Sequence, residues 1–306
     1  MTALLALKID VDTHDGMRLG VPRLLDCLRR HRLPATFFLS LGPDRSGRAI
    51  LQLRKPAFAR KMFATHAPSL YGWRTILSGT LLPARPIATA FPELVRQIES
   101  DGHETAIHAW DHRAWQDDLL QFKDRRIRLH LHRALAAYRE LTGHDPQGIG
   151  APAWMTTPRS LALQDELPLT YASDLRGGVP CRLRTPDGIR RLPQFPGTGP
   201  CLEELMSNGP ADPARLIDTL IAALRRHPGP LRVLTLHAEV EGGPFLPLLD
   251  RLLTRLAEAG GLGEVVTMAT AAARLHENLP VRQWCRIQLP GRAFAVSSSR
   301  AERPNS

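Results

Sequence analysis

The sequence Asp10-Val11-Asp12 places two carboxylates two residues apart at the end of an apolar run. Side chains of a strand alternate between its faces, so a strand here presents both carboxylates on one side. One carboxylate can then bind a metal ion while the other acts as a general base. Taken alone, the pattern is more typical of an ordinary turn at a strand end.

His108 and His112 are four residues apart, a spacing that places two imidazoles on one face of a helical turn. Two imidazoles and one carboxylate form an open divalent-metal site with positions left for water and substrate. Two unrelated surface histidines are the alternative, which is weaker because His108 also ends a predicted strand. His130 and His132 lie in a long amphipathic stretch and are interpreted as surface or packing residues.

Asp174 and His237 each end a further predicted strand. A carboxylate hydrogen-bonded to an imidazole raises the pKa of that imidazole, which suits a general acid. The sequence therefore predicts that Asp174 supports His237 as a proton donor. A histidine packed in the core is the alternative for His237.

These side chains require a scaffold whose strands end at one edge. Apolar segments alternate with amphipathic ones, which predicts repeated βα units and a parallel sheet or barrel. In such barrels the catalytic groups lie at the carboxyl ends of the strands. The predicted strands are 3–9, 35–41, 103–108, 169–174, 232–237 and 263–268, and the predicted helices are 22–31, 92–100, 117–141, 213–226 and 246–259.

The composition is that of a soluble protein with a sizeable core, since 43% of the 306 residues are hydrophobic. No window approaches the roughly 20 apolar residues of a membrane-spanning helix, and no signal peptide is predicted. The four cysteines lack CxxC spacing, which argues against a disulfide framework or a zinc knuckle. The net charge of +10 fits an anionic membrane, an acidic substrate, nucleic acid or simply an arginine-rich proteome, and no nucleic-acid-binding motif is present.

Two segments stand outside the βα pattern. Residues 55–86 mix basic and aromatic side chains, which predicts an inserted helical segment that meets a membrane headgroup region or forms a lid. Residues 278–306 are rich in Arg, Ser and Pro and are predicted to form a flexible tail, so the domain is placed at 1–277.

In their order along the chain these motifs resemble those of the NodB-type polysaccharide deacetylases of carbohydrate esterase family 4. The resemblance implies an α/β fold, namely a distorted, incomplete (β/α)7-type barrel with an inserted helical segment. It implies Asp10 as the base, His237 as the acid held by Asp174, and one divalent metal (zinc, cobalt or manganese). The stretches that match are Ile9–Asp12, Gly102-His103-Glu104 leading to His108–His112, Asp174 and Leu236-His237, and the implied metal ligands are Asp12, His108 and His112.

Longer stretches resemble the deformylases of the aminoarabinose pathway. That resemblance implies 4-deoxy-4-formamido-L-arabinose-phosphoundecaprenol as substrate, lipid A modification and polymyxin resistance. It also implies a peripheral protein at the cytoplasmic face of the bacterial inner membrane, without nucleic acid or a required protein partner. The stretches are Ser69–Trp73, His108–Gln116, Ser173–Gly177 and His237–Gly242. The substrate contacts implied are Tyr71, Trp73, Trp110, Trp115, Trp154, Arg176 and Glu239.

One motif departs from the deacetylase pattern. Many members carry an Arg that orients the base, whereas the corresponding segment Gly150–Trp154 has none. Arg176 is predicted as the replacement, and a backbone N–H near Ala151–Trp154 is predicted to stabilise the oxyanion. Two other functions stay open: a deacetylase of chitooligosaccharide or peptidoglycan, and a catalytically silent basic module that binds membranes. The silent module would predict a broken ligand set.

Overall fold

The computed structural model describes residues 3–48, 73–206, 212–290, 292 and 294–302. Within them, seven parallel strands form one sheet in the order β5-β4-β3-β2-β1-β8, and β9 pairs with the first residues of β1. The strands of the described residues are β1 (Leu4–Val11), β2 (Thr36–Ser40), β3 (Glu104–Ala109), β4 (Gly148–Ile149), β5 (Tyr171–Ala172), β6 (Arg182–Thr185), β7 (Gly188–Ile189), β8 (Leu231–His237), β9 (Glu264–Val266), β10 (Val281–Ile287) and β11 (Val296–Ala301).

Helices cover the outer face of this sheet. The helices of the described residues are α1 (Val21–His31), α2 (Trp73–Leu77), α3 (Pro92–Ser100), α4 (His112–Asp118), α5 (Asp124–Thr142), α6 (Pro158–Gln164), α7 (Leu202–Met206), α8 (Pro213–Arg226), α9 (Leu246–Ala259) and α10 (Met268–Leu275). The predicted α/β half-barrel is confirmed. The sheet stays open because β5 and β8, at its two ends, are not paired with each other.

The two faces of β1 explain how the barrel is filled. All eight residues of β1 are buried, as expected for the centre of a parallel sheet. Leu5, Leu7 and Ile9 pack in the large core formed with the helices. Leu4 and Ala6 pack in a smaller inner core that includes residues of α10. Further along the inner face come Lys8 and Asp10, so the barrel interior changes from apolar to charged toward the carboxyl edge.

The predicted helix 117–141 is two helices. Asp111 caps α4 by accepting a hydrogen bond from Ala114 N at 2.9 Å, and α4 ends at Asp118. A short 3₁₀ turn follows, and α5 begins only at Asp124. The predicted helix 92–100 is confirmed as α3, and the predicted helix 213–226 is confirmed as α8, where Asp212 accepts from Ala214 N.

The prediction of a flexible tail from residue 278 is wrong for the described residues. β10 and β11 join β6 and β7 in a second sheet, in the order β11-β10-β6-β7. Ser297 of β11 is 1% exposed, and its hydroxyl accepts a hydrogen bond from Thr156 N at 3.0 Å. Arg176 N donates to Ser297 O at 2.9 Å. Hydrogen bonds of its serines add to the apolar contacts of Val296 and Trp284, so a segment with a polar composition is buried here.

Most of the inserted segment lies outside the described residues, which resume at Trp73. The described end is tied to the loops that follow β1 and β2. Asp15 accepts hydrogen bonds from Arg85 at 3.2 Å and from Thr75 at 3.2 Å, and Ser78 Oγ donates to Asp44 O at 2.8 Å. No helix among the described residues is long and apolar enough to cross a membrane.

Candidate active site

The carboxyl edge of the sheet brings together Asp12, His108 and His112, named here the edge cluster. Nε2 of His108 lies 3.2 Å from one carboxylate oxygen of Asp12, and Nε2 of His112 lies 3.2 Å from the other. The centroids of the two imidazole rings are 5.2 Å apart. Two nitrogen donors and one carboxylate at these distances match the preferred ligands of zinc and similar divalent ions.

A hydrogen bond fixes the ring of His108 for this task. Its Nδ1 lies 2.7 Å from Gly150 O. A carbonyl can only accept, so Nδ1 carries the proton and Nε2 presents its lone pair to the edge cluster. The residues present therefore fit a divalent metal, with His108 oriented from β4.

His112 joins the edge cluster, but not through the single helical turn that its spacing from His108 predicted. His108 lies in β3, whereas His112 is the first residue of α4. The chain turns between them, and Asp111 holds that turn by capping α4 and by an ion pair with Arg45 at 2.7 Å. The four-residue spacing therefore works across a strand-to-helix turn.

The ionisation state of Asp12 suits a metal ligand. Burial tends to raise the pKa of Asp12, but the charge of His112 and the hydrogen bond and charge of His108 together hold that pKa well below its usual value. Asp12 is therefore a carboxylate at neutral pH.

Asp10 lies opposite His237 in the pairing of β1 with β8. Both carboxylate oxygens of Asp10 accept hydrogen bonds from Nζ of Lys8, which the sequence analysis did not consider. Arg176, the predicted partner of Asp10, instead donates to Glu204 at 2.6 Å. The prediction that Arg176 orients Asp10 is therefore wrong, because its guanidinium is engaged by a buried carboxylate. The contact of Arg176 with substrate stays a prediction. The alternation of Lys8 with Asp10 along β1 was the available signal.

Asp174 is fully buried at the end of β5. Its carboxylate accepts hydrogen bonds from Ala151 N at 2.8 Å and from Gln194 Nε2 at 3.0 Å. Burial raises the pKa of Asp174 to about 6 despite these hydrogen bonds. The support of His237 by Asp174 stays a prediction. The backbone N–H of His237 donates to Glu241 at 2.7 Å.

The segment Ala151–Trp154 forms one wall of the site in an unusual conformation. Ala153 and Trp154 have φ of 51° and 52°, the left-handed region that costs non-glycine residues of order 1–3 kcal/mol each. Two of its N–H groups donate internally, Ala151 to Asp174 and Trp154 to Ala151 O. The predicted oxyanion contact therefore does not come from these two groups as they stand.

Trp154 packs against two arginines, and the sequence did not predict these contacts. The guanidinium of Arg292 lies 4.5 Å from the centroid of its ring, and that of Arg176 lies 5.5 Å away. Both arginines donate to Glu204, which holds the pKa of Glu204 near 2 against the effect of burial. Arg292 belongs to the segment that was predicted to be a tail.

The other residues predicted to contact substrate differ in their surroundings, and their contact with substrate stays a prediction. Trp115 is buried and donates from Nε1 to Met155 O at 3.0 Å, which is a packing role. Trp110 is partly buried against the large core, and Glu239 is buried beside Gly16. Tyr71 lies outside the described residues, and for Trp73 the structure describes only its place at the start of α2.

The half-barrel, with a possible metal site at its carboxyl edge, indicates a class: hydrolases that act on amide C–N bonds. The model of the polysaccharide deacetylase family matches residues 10–172. A Shewanella sediminis protein described as "Probable 4-deoxy-4-formamido-L-arabinose-phosphoundecaprenol deformylase ArnD" is 34% identical, covering 82% of this chain and 81% of that protein. A protein of Wigglesworthia glossinidia brevipalpis with the same description is 28% identical, covering 90% of this chain and 96% of that protein.

Among solved structures, one from Mycobacterium smegmatis assigned to the polysaccharide deacetylases superposes with a TM-score of 0.65. It is 22% identical, covers 94% of this chain and 95% of that chain, and shows the shared fold. The chain belongs to the polysaccharide deacetylase family.

Proposed function

We propose that the protein hydrolyses the N-formyl group of 4-deoxy-4-formamido-L-arabinose-phosphoundecaprenol, releasing formate and the 4-amino sugar. The observation that carries the proposal is the edge cluster, placed beside Asp10 and His237 at one end of the barrel. The printed description of the relative at 34% identity supplies the substrate. Lipid A modification and polymyxin resistance would follow from that reaction.

The residues of the site divide the chemistry between them. A divalent cation on the edge cluster would polarise the amide oxygen and make bound water more acidic. Asp10 accepts a proton from the attacking water, because its carboxylate lies on the inner face of β1 two residues from Asp12. His237, paired with Asp10 across the sheet, donates a proton to the departing sugar nitrogen. Formate and an amine are then the products. Zinc, cobalt and manganese all suit this donor set.

A lipid-linked substrate requires the site to lie near a membrane surface, and the rim around Asp15 fits this requirement. Asp15 binds Arg18 and Arg85, and nearby in the sequence Leu19 and Leu81 are exposed, Leu81 by 80%. Exposed leucines among arginines suit the headgroup region of an anionic bilayer. We propose that the protein acts at the cytoplasmic face of the bacterial inner membrane, as the resemblance to the deformylases implies. Sedimentation with phosphatidylglycerol vesicles, but not with phosphatidylcholine vesicles, is the expected result, and Leu81→Asp should weaken it.

The decisive experiment is formate release from formamidoarabinose-phosphoundecaprenol, or a short-chain analogue, by the metal-loaded protein. Asp10→Asn and His237→Ala should each lower kcat by roughly 10²- to 10⁴-fold, because each removes a proton-transfer group. Asp145→Asn and His144→Ala are matched controls. These two residues contact each other away from the edge cluster, and their variants should keep the wild-type rate. Hydrolysis of an N-acetyl sugar without formate release would instead indicate a polysaccharide deacetylase.

A further inference from the structure

Lys8 is buried inside the barrel, with only 1% of its side chain exposed. It lies on the inner face of β1, two residues before Asp10, and pairs with Thr235 of β8. A lysine is almost never buried this completely without a partner, since an unpaired charge in the interior is costly. Here Nζ contacts both carboxylate oxygens of Asp10.

The walls around Lys8 leave its ammonium little freedom. Nζ lies 4.6 Å from the centroid of the Phe38 ring and 5.9 Å from that of Trp154, within the range of cation–π attraction. A Cβ added to Gly150 would come within 2.8 Å of Phe38 and 3.4 Å of Lys8 Cε. The absence of a side chain at Gly150 therefore leaves room for the Phe38 ring beside Lys8.

The charge of Lys8 also reaches a second carboxylate. It is among the influences that lower the pKa of Asp174, which burial raises. Lys8 is thus an interior cation shared by two carboxylates, with direct contact to the one that faces His237. Arg176, the other cation considered for this task, is bound to Glu204.

We propose that Lys8 is the positioning residue of the general base. Its ammonium holds the Asp10 carboxylate from within the same strand, in the place of the arginine that the segment Gly150–Trp154 lacks. The inference rests on the proposed hydrolysis at this site. A cation that only stabilises the fold would occupy the same position, so the test must separate orientation of Asp10 from stability.

Steady-state kinetics of Lys8→Met, Lys8→Arg, Asp10→Asn and the Lys8→Met/Asp10→Asn double variant separate these roles. Lys8→Met should lower kcat about 100-fold, the cost of a misplaced catalytic group, with KM and bound metal unchanged. Lys8→Arg, which keeps the charge, should recover kcat to within about tenfold of wild type. In the double variant the loss of Lys8 should have no further effect, because Asp10 no longer acts as a base.

An equal loss of kcat from Lys8→Met in both backgrounds, or wild-type kcat in Lys8→Met, would overturn the proposal. Arg191→Met is the structural control. Arg191 donates to the carbonyls of Leu167 and Leu169, so its loss should lower stability while kcat of the folded protein is kept. If Lys8→Met does not fold, Lys8→Gln gives the same comparison.

All rates are measured with the acyl sugar that the wild type hydrolyses. If the formyl assignment is wrong, the wild type itself does not release formate. If the role proposed for Lys8 is wrong, only the kcat values of the variants differ from those expected.

If the wild type hydrolyses neither acyl sugar, the proposed function fails and the melting temperature tests the contact itself. Lys8→Met should then lower it, and adding Asp10→Asn should restore part of the loss because no unpaired carboxylate remains. Equal melting temperatures in Lys8→Met with and without Asp10→Asn would overturn the pairing.

Discussion

The described residues contain two places where three metal-binding side chains meet, and they differ in every other respect. One is the edge cluster. The other, named here the helix cluster, lies between α1 and α9 on the outside of the barrel, and its ligand atoms are also within 4.8 Å of one another. Its members are Cys27, His31 and Asp250.

In the helix cluster all contacts converge on a single oxygen of Asp250. Cys27 Sγ lies 3.6 Å from it, His31 Nε2 3.0 Å and Arg30 Nη2 2.9 Å. The guanidinium of Arg30 thus already supplies a positive charge. Burial, followed by the charge of Asp250, raises the pKa of the Cys27 thiol to about 11, so the thiolate that binds metals is scarce.

The comparison shows that proximity of donors does not make a metal site. The edge cluster gives each imidazole its own oxygen of Asp12, and His108 is oriented by the carbonyl of Gly150. The helix cluster has a competing cation instead and joins two surface helices as an ion-pair network. Three predictions test this difference.

The largest expected effect is on metal content. His108→Ala should lose bound divalent metal and bring hydrolysis to the uncatalysed background, because one of three protein ligands is gone. His31→Ala is the matched variant in the helix cluster and should retain about one equivalent of metal and the wild-type rate. Elemental analysis of the purified proteins gives the answer. A second equivalent in the wild type that is lost from His31→Ala would contradict the comparison.

The second largest expected effect is on the pH dependence of stability. It concerns Asp174, which lies in the barrel near the edge cluster. Its folded pKa of about 6 exceeds the unfolded value, so the folded state binds more protons between about pH 4 and pH 6. Stability from this group is therefore present below pH 4 and lost as the pH rises through 6. Asp174→Asn cannot titrate and should gain roughly 2 kcal/mol relative to wild type between pH 4 and 7.5.

Urea unfolding of both proteins at the two pH values measures this change. A cost of the asparagine amide that does not depend on pH is the same at both pH values, so it cancels when the free energies of unfolding at the two pH values are subtracted. Parallel pH profiles for the wild type and Asp174→Asn would show that the carboxyl group titrates normally in the folded protein.

The smallest expected effect concerns Asp250. Its contribution to stability changes with pH in the opposite direction to that of Asp174. Hydrogen bonds from Arg30 and His31 lower its pKa, so its contribution to stability is present above about pH 4 and lost as the pH falls through the folded pKa. The Asp250 side chain is 44% exposed, so solvent screening limits its contribution to under about 1 kcal/mol. Asp250→Asn should lower the urea midpoint slightly at pH 7 and not at pH 3. A loss larger than that of a core substitution would mean that the network is more than an exposed ion pair.

Local sequence patterns were sufficient for most of the scaffold. The apolar stripe of α1 and the buried run of β1 are set by residues close together in the chain, as are the bounds of α3 and α8. The four-residue spacing of His108 and His112 indicated their proximity but not the strand-to-helix turn that achieves it.

Contacts between distant segments were not predictable in the same way. β10 pairs with β6, about a hundred residues earlier, and its polar strand partner β11 carries no apolar alternation. Lys8 is a different case, since it is adjacent to the site in sequence. Its contact with Asp10 could have been predicted, because the period-two alternation of a strand places Lys8 and Asp10 on the same face of β1.

The second sheet also orders events during synthesis of the chain. A ribosome makes β11 after β1 and after every side chain from Asp10 to His237. Ser297 binds Thr156 and Arg176 next to the wall that carries Trp154. A nascent chain can therefore hold all of its proton-transferring groups and still have one side of the pocket unformed. The final shape of the pocket is therefore set by residues that are translated after those of the site.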